Sequence, residues 1–156
     1  MERPLYYSWI LPERLAVGER PRSFAELQHL GFAAVLSLQE ESEPGPEGAP
    51  PAGFVSRLVG IRDGIVEGVP SPEQFREAVE VLAGFLGKGL RTYVHCYAGV
   101  GRSPTICMGY LARSENLSLG EAYRRVVALH EPTAPTAGQL AVLAQFLADL
   151  REERGR

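Results

Sequence analysis

This 156-residue sequence predicts an α/β fold: a single domain with a mainly parallel central sheet of four to five strands flanked by helices. Short strand-like apolar runs alternate with helical stretches, the order expected when βα units wind onto a parallel sheet covered on both faces. Four helix starts share one signal, a Ser or Thr followed by Glu or Gln at the position that closes a capping box. They are Ser23 with Glu26, Ser71 with Gln74, Ser118 with Glu121, and Thr136 with Gln139. A chain of this length makes one domain and buries a core without disulfides or metals.

Taken in order, the first strands are Tyr7 to Ile10 and Leu15 to Val17, short apolar runs of the kind that pair in a sheet. The Ser23 box opens the first helix. Phe32 to Leu38 and Phe54 to Ile61 follow as strands, separated by Glu40 to Gly53, whose Glu, Pro and Gly mark a surface loop. Pro72 follows Ser71 at the first helical position, where its missing N–H costs nothing. Phe75, Ala78, Val79, Leu82, Phe85 and Leu86 then line one face, and Gly87 and Gly89 close the helix. Leu90 to His95 is the last strand. Thr105 to Ala112 is apolar on every side and predicts a buried helix. The Ser118 and Thr136 boxes open the final helices, the last with a stripe of Leu140, Leu143, Ala144, Leu147 and Leu150.

Between the last strand and the apolar helix lies His95-Cys96-Tyr97-Ala98-Gly99-Val100-Gly101-Arg102-Ser103-Pro104. The first N–H groups of a helix lack internal partners, and its positive end favours an anion. Gly99 and Gly101 let the backbone curl so that successive amides of Tyr97 to Arg102 face one concavity. Arg102 supplies a planar, permanently charged fork that grips two phosphate oxygens at once. Cys96 faces the same field, which favours its thiolate, the nucleophilic form. Ser103 can donate to the sulfur and help it leave when a covalent intermediate breaks down, while His95 is either a support that fixes the loop from behind and tunes the thiolate or a packed strand-end histidine.

His95-Cys96 through Arg102-Ser103 resembles the active-site loop of the cysteine-dependent protein tyrosine phosphatase superfamily, and within it the small (atypical) dual-specificity branch. The opening Trp9 to Gly18 is similar to the first strands of that branch, and the position of the cysteine late in the chain fits it too. The resemblance implies a protein tyrosine phosphatase-like fold and hydrolysis of phosphotyrosine, with phosphoserine and phosphothreonine as further candidates, through a cysteinyl-phosphate intermediate. It also implies an aspartate general acid on a loop upstream of the cysteine. Asp63 stands there. It is one of only two aspartates, and the other, Asp149, falls on the C-terminal helix. On the residues alone, Asp63-Gly64 is accounted for equally well as a turn; the resemblance favours the acid, with Glu67 in reserve.

The remaining features set bounds. A net charge of −3 with no basic stripe argues against nucleic acid or an anionic membrane as partner. Two cysteines, one of them the nucleophile, make no disulfide framework and point to a reducing compartment. With no signal peptide and no bilayer-length apolar run, a cytoplasmic protein is expected. Cys107 sits in the apolar helix as core. His29 and His130 look like helix-end residues, so neither a metal nor another cofactor is expected. Gln139 resembles a water-positioning glutamine of some relatives, but its place in the capping box explains it without catalysis. The alternatives to a phosphatase are a binding-only pseudophosphatase, or a sulfurtransferase or arsenate reductase with the same cysteine loop. The expected partner is a phosphorylated protein or peptide; oligomeric state is not encoded in any pattern here.

Overall fold

The computed structural model describes residues 3–40, 43–61 and 68–156. Strands β1 (Tyr7–Leu11), β2 (Leu15–Gly18), β3 (Ala34–Ser37), β4 (Val55–Leu58) and β5 (Thr92–His95) alternate with helices α1 (Phe24–His29), α2 (Pro72–Gly87), α3 (Arg102–Glu115), α4 (Leu119–Leu129) and α5 (Ala137–Arg154). The five strands form one sheet in the order β1-β2-β5-β3-β4. Only the β1–β2 pair is antiparallel; β2–β5, β5–β3 and β3–β4 are parallel. The expected α/β architecture is therefore present, with β5 at its centre.

Strand alternation sorts the core into two layers. Leu15, Val17, Ala34, Leu36 and Val94 face the larger cluster, which also contains Phe75, Val79, Leu82, Ile106, Met108, Leu111, Leu143 and Phe146 from α2, α3 and α5. Ala16, Val35 and Tyr93 face the other way, toward Leu27 of α1 and Phe32, with Tyr7, Trp9, Phe24 and Phe54 packed around them. Helix α3 is buried along most of its circumference, from Arg102 to Met108 and again at Gly109, Leu111 and Ala112. A Cβ on Gly109 would lie 2.6 Å from the Phe75 ring, so this glycine sets the close approach of α3 to α2.

Three of the four expected capping boxes are complete, at Ser71, Ser118 and Thr136. At α1 only half forms: Ser23 caps Glu26 N–H, while the Glu26 carboxylate accepts from the backbone and guanidinium of Arg22 instead. β1 and β2 each run one residue beyond the expected bounds, whereas β3, β4 and β5 are shorter than the apolar runs suggested. β4 spans four residues, all exposed, because it is the sheet edge. The stripe of α5 is also rotated from expectation. Gln139, Leu143, Phe146, Leu147 and Leu150 are buried, whereas Ala144 is exposed and Phe146 takes its place in the core.

Parallel strands β2, β5 and β3 end together at Gly18, His95 and Ser37, which are paired in register. Ligands bind beyond the carboxyl ends of such strands, and the Cys96 loop leaves β5 there.

Candidate active site

Residues 96–101 connect β5 to α3. Gly99 adopts φ +72°, and a Cβ there would lie 2.6 Å from the Gly18 carbonyl group, so the loop is pressed against the end of β2 at a position only glycine fits. The N-cap of α3, Gly101, makes no side-chain cap bond. Pro104 lies in the first turn of this helix, where no N–H is needed.

Cys96 is buried, and its Sγ lies 3.3 Å from the Ser103 hydroxyl. The predicted nucleophile and its predicted hydrogen-bond partner thus meet across the mouth of α3. Cys96, Tyr97, Ala98, Val100, Gly101 and Arg102 line a cavity of about 180 Å³, closed by Ala134, Thr136 and Gln139. Tyr97 is 53% exposed and divides this cavity from a wider cleft of about 530 Å³ bordered by Arg3, Tyr6, Glu19 and Arg20. The Arg20 guanidinium lies 5.5 Å from the Tyr97 ring centre and donates to Pro44 O at 2.9 Å.

Arg102 is held by a partner the sequence did not single out. Its Nη1 and Nη2 donate to the two carboxylate oxygens of Glu43 at 2.8 and 3.1 Å, and Nη1 also donates to Ile61 O at 2.5 Å. The arginine side chain is 3% exposed and that of Glu43 17%. Hydrogen bonding to this fork holds the Glu43 carboxyl below the ordinary carboxylate range. Glu43 lies in the 40–53 loop, which thus reaches the site through its contact with Arg102. Asp63 and Glu67, the candidate acids, lie outside the described residues.

His95 sits behind the loop, fully buried. Its Nδ1 is 3.0 Å from Cys96 O and its Nε2 2.7 Å from Ser37 Oγ. A carbonyl only accepts, so Nδ1 carries the proton and Nε2 accepts from Ser37. Burial pushes its pKa down to about 4; the imidazole is neutral near neutrality and donates to the Cys96 carbonyl. Cys107 is wholly buried, and burial pushes its thiol pKa up, in keeping with core. Gln139 both caps α5 and lines the cavity. Its Oε1 accepts from Thr136 N–H and its Nε2 donates to Gly68 O at 2.9 Å, and it would lie 2.7 Å from a Cβ on Gly101. His130 ends α4 as expected but is buried and donates to Gly99 O of the loop at 2.8 Å, a contact not visible in the sequence.

With this geometry in place, comparison with known proteins is decisive. The profile of the dual specificity phosphatase catalytic domain matches residues 17–149. The chain belongs to the dual specificity phosphatase family. Among curated relatives, dual specificity protein phosphatase 1-A of Xenopus laevis is 36% identical over 120 residues, which is 77% of this chain and 31% of the relative. Dual specificity protein phosphatase 5 of Homo sapiens is 34% identical over 76 residues, 49% of this chain and 20% of the relative. The chain thus spans about a third of the length of these relatives or less. Among solved structures, the active form of Tk-PTP superposes with a TM-score of 0.78 at 28% identity, covering 91% of this chain and 96% of that one. PTPMT1 superposes with a TM-score of 0.83 at 23% identity, covering 96% and 99%, a likeness of fold. Among the described residues, no group of His, Cys, Asp and Glu could hold a metal ion, and no helix is long and apolar enough to cross a membrane.

Proposed function

We propose that this chain is a protein phosphatase that hydrolyses phosphotyrosine, and within reach of the same chemistry phosphoserine and phosphothreonine, through a cysteinyl-phosphate intermediate. The observation that carries it is that Cys96 and buried Arg102 line one cavity together with the loop between them, with the Ser103 hydroxyl 3.3 Å from the Cys96 sulfur. Cys96 Sγ attacks phosphorus as the P–O bond to the leaving group breaks. The amides of Tyr97 to Arg102 and the Arg102 guanidinium stabilise the equatorial oxygens. Glu43 and Ile61 O hold the guanidinium of Arg102 in place beside the cavity. In this mechanism Asp63 protonates the departing oxygen, then takes a proton from the water that attacks the cysteinyl phosphate, and Ser103 donates to the departing sulfur.

The expected substrate is a phosphorylated protein or peptide, met in a reducing cytoplasmic compartment, without nucleic acid or membrane. An arsenate reductase would need a resolving thiol, and fully buried Cys107, its ionisation opposed by burial, is poorly suited to that task.

A panel of phosphotyrosine, phosphoserine and phosphothreonine peptides, run beside Cys96→Ser, tests the proposal. Turnover is expected in the wild type and none in Cys96→Ser; Asp63→Asn should lower kcat by about 10²-fold or more. Binding of phosphopeptide by the wild type without turnover would favour a pseudophosphatase instead.

A further inference from the structure

Five carbonyls of the phosphate loop, those of Cys96, Tyr97, Gly99, Val100 and Gly101, accept hydrogen bonds. Tyr97 O accepts from Arg20 N at 3.1 Å, Val100 O from Ala134 N at 2.8 Å, and Gly101 O from Thr105 N at 3.2 Å and its hydroxyl at 2.7 Å. Cys96 O accepts from His95. Within each trans peptide the C=O and the next residue's N–H point in opposite directions in one plane. Pinning a carbonyl outward therefore aims the following amide inward, toward the cavity.

Gly99 O is the one of these met by a side chain from a distant element, His130 Nε2 at 2.8 Å. His130 Nδ1 in turn lies 2.7 Å from Ser8 Oγ on β1. The Gly99 carbonyl can only accept, so Nε2 carries the proton, and Nδ1 accepts from the Ser8 hydroxyl. The imidazole is 1% exposed and packs at 5.8 Å, tilted, against Tyr6. No catalytic step uses it. Yet it fixes the one peptide, Gly99–Val100, that follows the left-handed residue of the loop, where the backbone has most freedom to turn over.

We propose that His130 is a positioning residue of the phosphate loop: locked by Ser8 as the Nε2–H tautomer, it holds the Gly99–Val100 peptide so that Val100 N–H faces the bound phosphoryl group. The role rests on the phosphatase function proposed above. Removing the donor leaves a buried carbonyl unsatisfied, and the peptide escapes that cost by rotating, which withdraws an amide from the anion.

Three variants and one spectrum test it. His130→Leu keeps apolar volume without a donor, His130→Gln offers an amide N–H close to the Nε2 position, and His130→Ala removes both. Tungstate affinity by titration calorimetry and kcat/KM on an aryl phosphate are read together with Tm. For Leu and Ala, tungstate affinity and kcat/KM should fall about tenfold or more, while Gln restores both to within about threefold of wild type. Nitrogen-15 correlation spectra of the wild-type ring should show the Nε2–H tautomer, a readout that needs no variant to fold. Wild-type affinity in His130→Leu, a Gln variant as weak as Leu, or an Nδ1–H tautomer would each overturn the role. If the wild type neither binds tungstate nor hydrolyses the ester, the proposed function fails and the positioning role falls with it; if the wild type does both and the Leu variant matches it, only the positioning role falls.

Discussion

Replacing Glu43 by glutamine probes the bidentate ion pair that restrains Arg102, the proposed phosphate ligand. A fully exposed ion pair contributes about 0–1 kcal/mol, whereas removing one partner of a fully buried pair costs about 3–5 kcal/mol. With side chains 3% and 17% exposed, this pair lies near the buried limit. Glutamine keeps one acceptor oxygen, and Ile61 O still accepts from Nη1, so a loss of about 2 kcal/mol is expected. For a chain of this size that lowers Tm by about 4–8 °C. The pH dependence supplies the control. Arg102 lowers the Glu43 pKa in the folded state, so the pair's contribution is complete above the unfolded value and is lost as pH falls through the folded one. The gap in Tm between wild type and Glu43→Gln should hold from about pH 7 to about pH 5 and close below about pH 4.5. Calorimetric melts across this range read it directly, and kcat/KM should fall about tenfold as the guanidinium loosens. A gap below about 1 °C at neutral pH, or one that persists in full at about pH 3.5, would refute the ion pair as a restraint on Arg102.

Two further substitutions probe the loop itself. Gly99→Ala forces a side chain into φ +72° and against the Gly18 backbone at 2.6 Å; it should lower stability by about 2 kcal/mol or more and remove most activity, whereas a fully active Gly99→Ala would show that the loop need not hold this geometry. His95→Asn keeps an N–H to donate to Cys96 O but does not titrate. In the wild type, burial lowers the pKa of His95 to about 4, so the unfolded chain takes up its proton first. Wild-type stability should fall by on the order of 3 kcal/mol as pH drops from about 6.5 to about 4. The advantage of the wild type over His95→Asn in urea melts should shrink across that window, and a pH-independent difference would rule out a neutral, buried His95.

What could be read from the sequence was what is local in it. The Cys96-to-Arg102 spacing, the strand before it and the buried helix after it lie in one continuous run, so the cradle could be inferred before any tertiary contact was known. The capping boxes are equally local, and they placed the starts of α2, α4 and α5 correctly. Glu43 and His130 escaped because their contacts join residues 59 and 31 positions away. Glu43 is one carboxylate in an acidic loop, and His130 carries the outward marks of a helix end. The rotation of α5 escaped for a related reason. Its buried face begins with Gln139, a polar residue drawn inward by its bonds to Thr136 and Gly68, and an apolar periodicity cannot select a face that a polar side chain anchors.

In the proposed mechanism, the two histidines behind the loop keep its carbonyls turned away from the anion. Both are buried, and burial opposes protonation of each; at His95 the nearby charges of Arg20 and Arg102 oppose it further. Each imidazole therefore enters as a neutral donor to one loop carbonyl, Cys96 O or Gly99 O, and as an acceptor from one serine, Ser37 or Ser8. A lysine or arginine in either place would donate as well but would add a fixed charge outside the cavity, drawing the phosphoryl group toward the wrong side of the loop. A leucine would leave the carbonyl unpaired and free to turn inward, presenting an oxygen where the anion needs an N–H. Neutral, buried donors meet both demands at once, holding the loop carbonyls without adding a charge behind them.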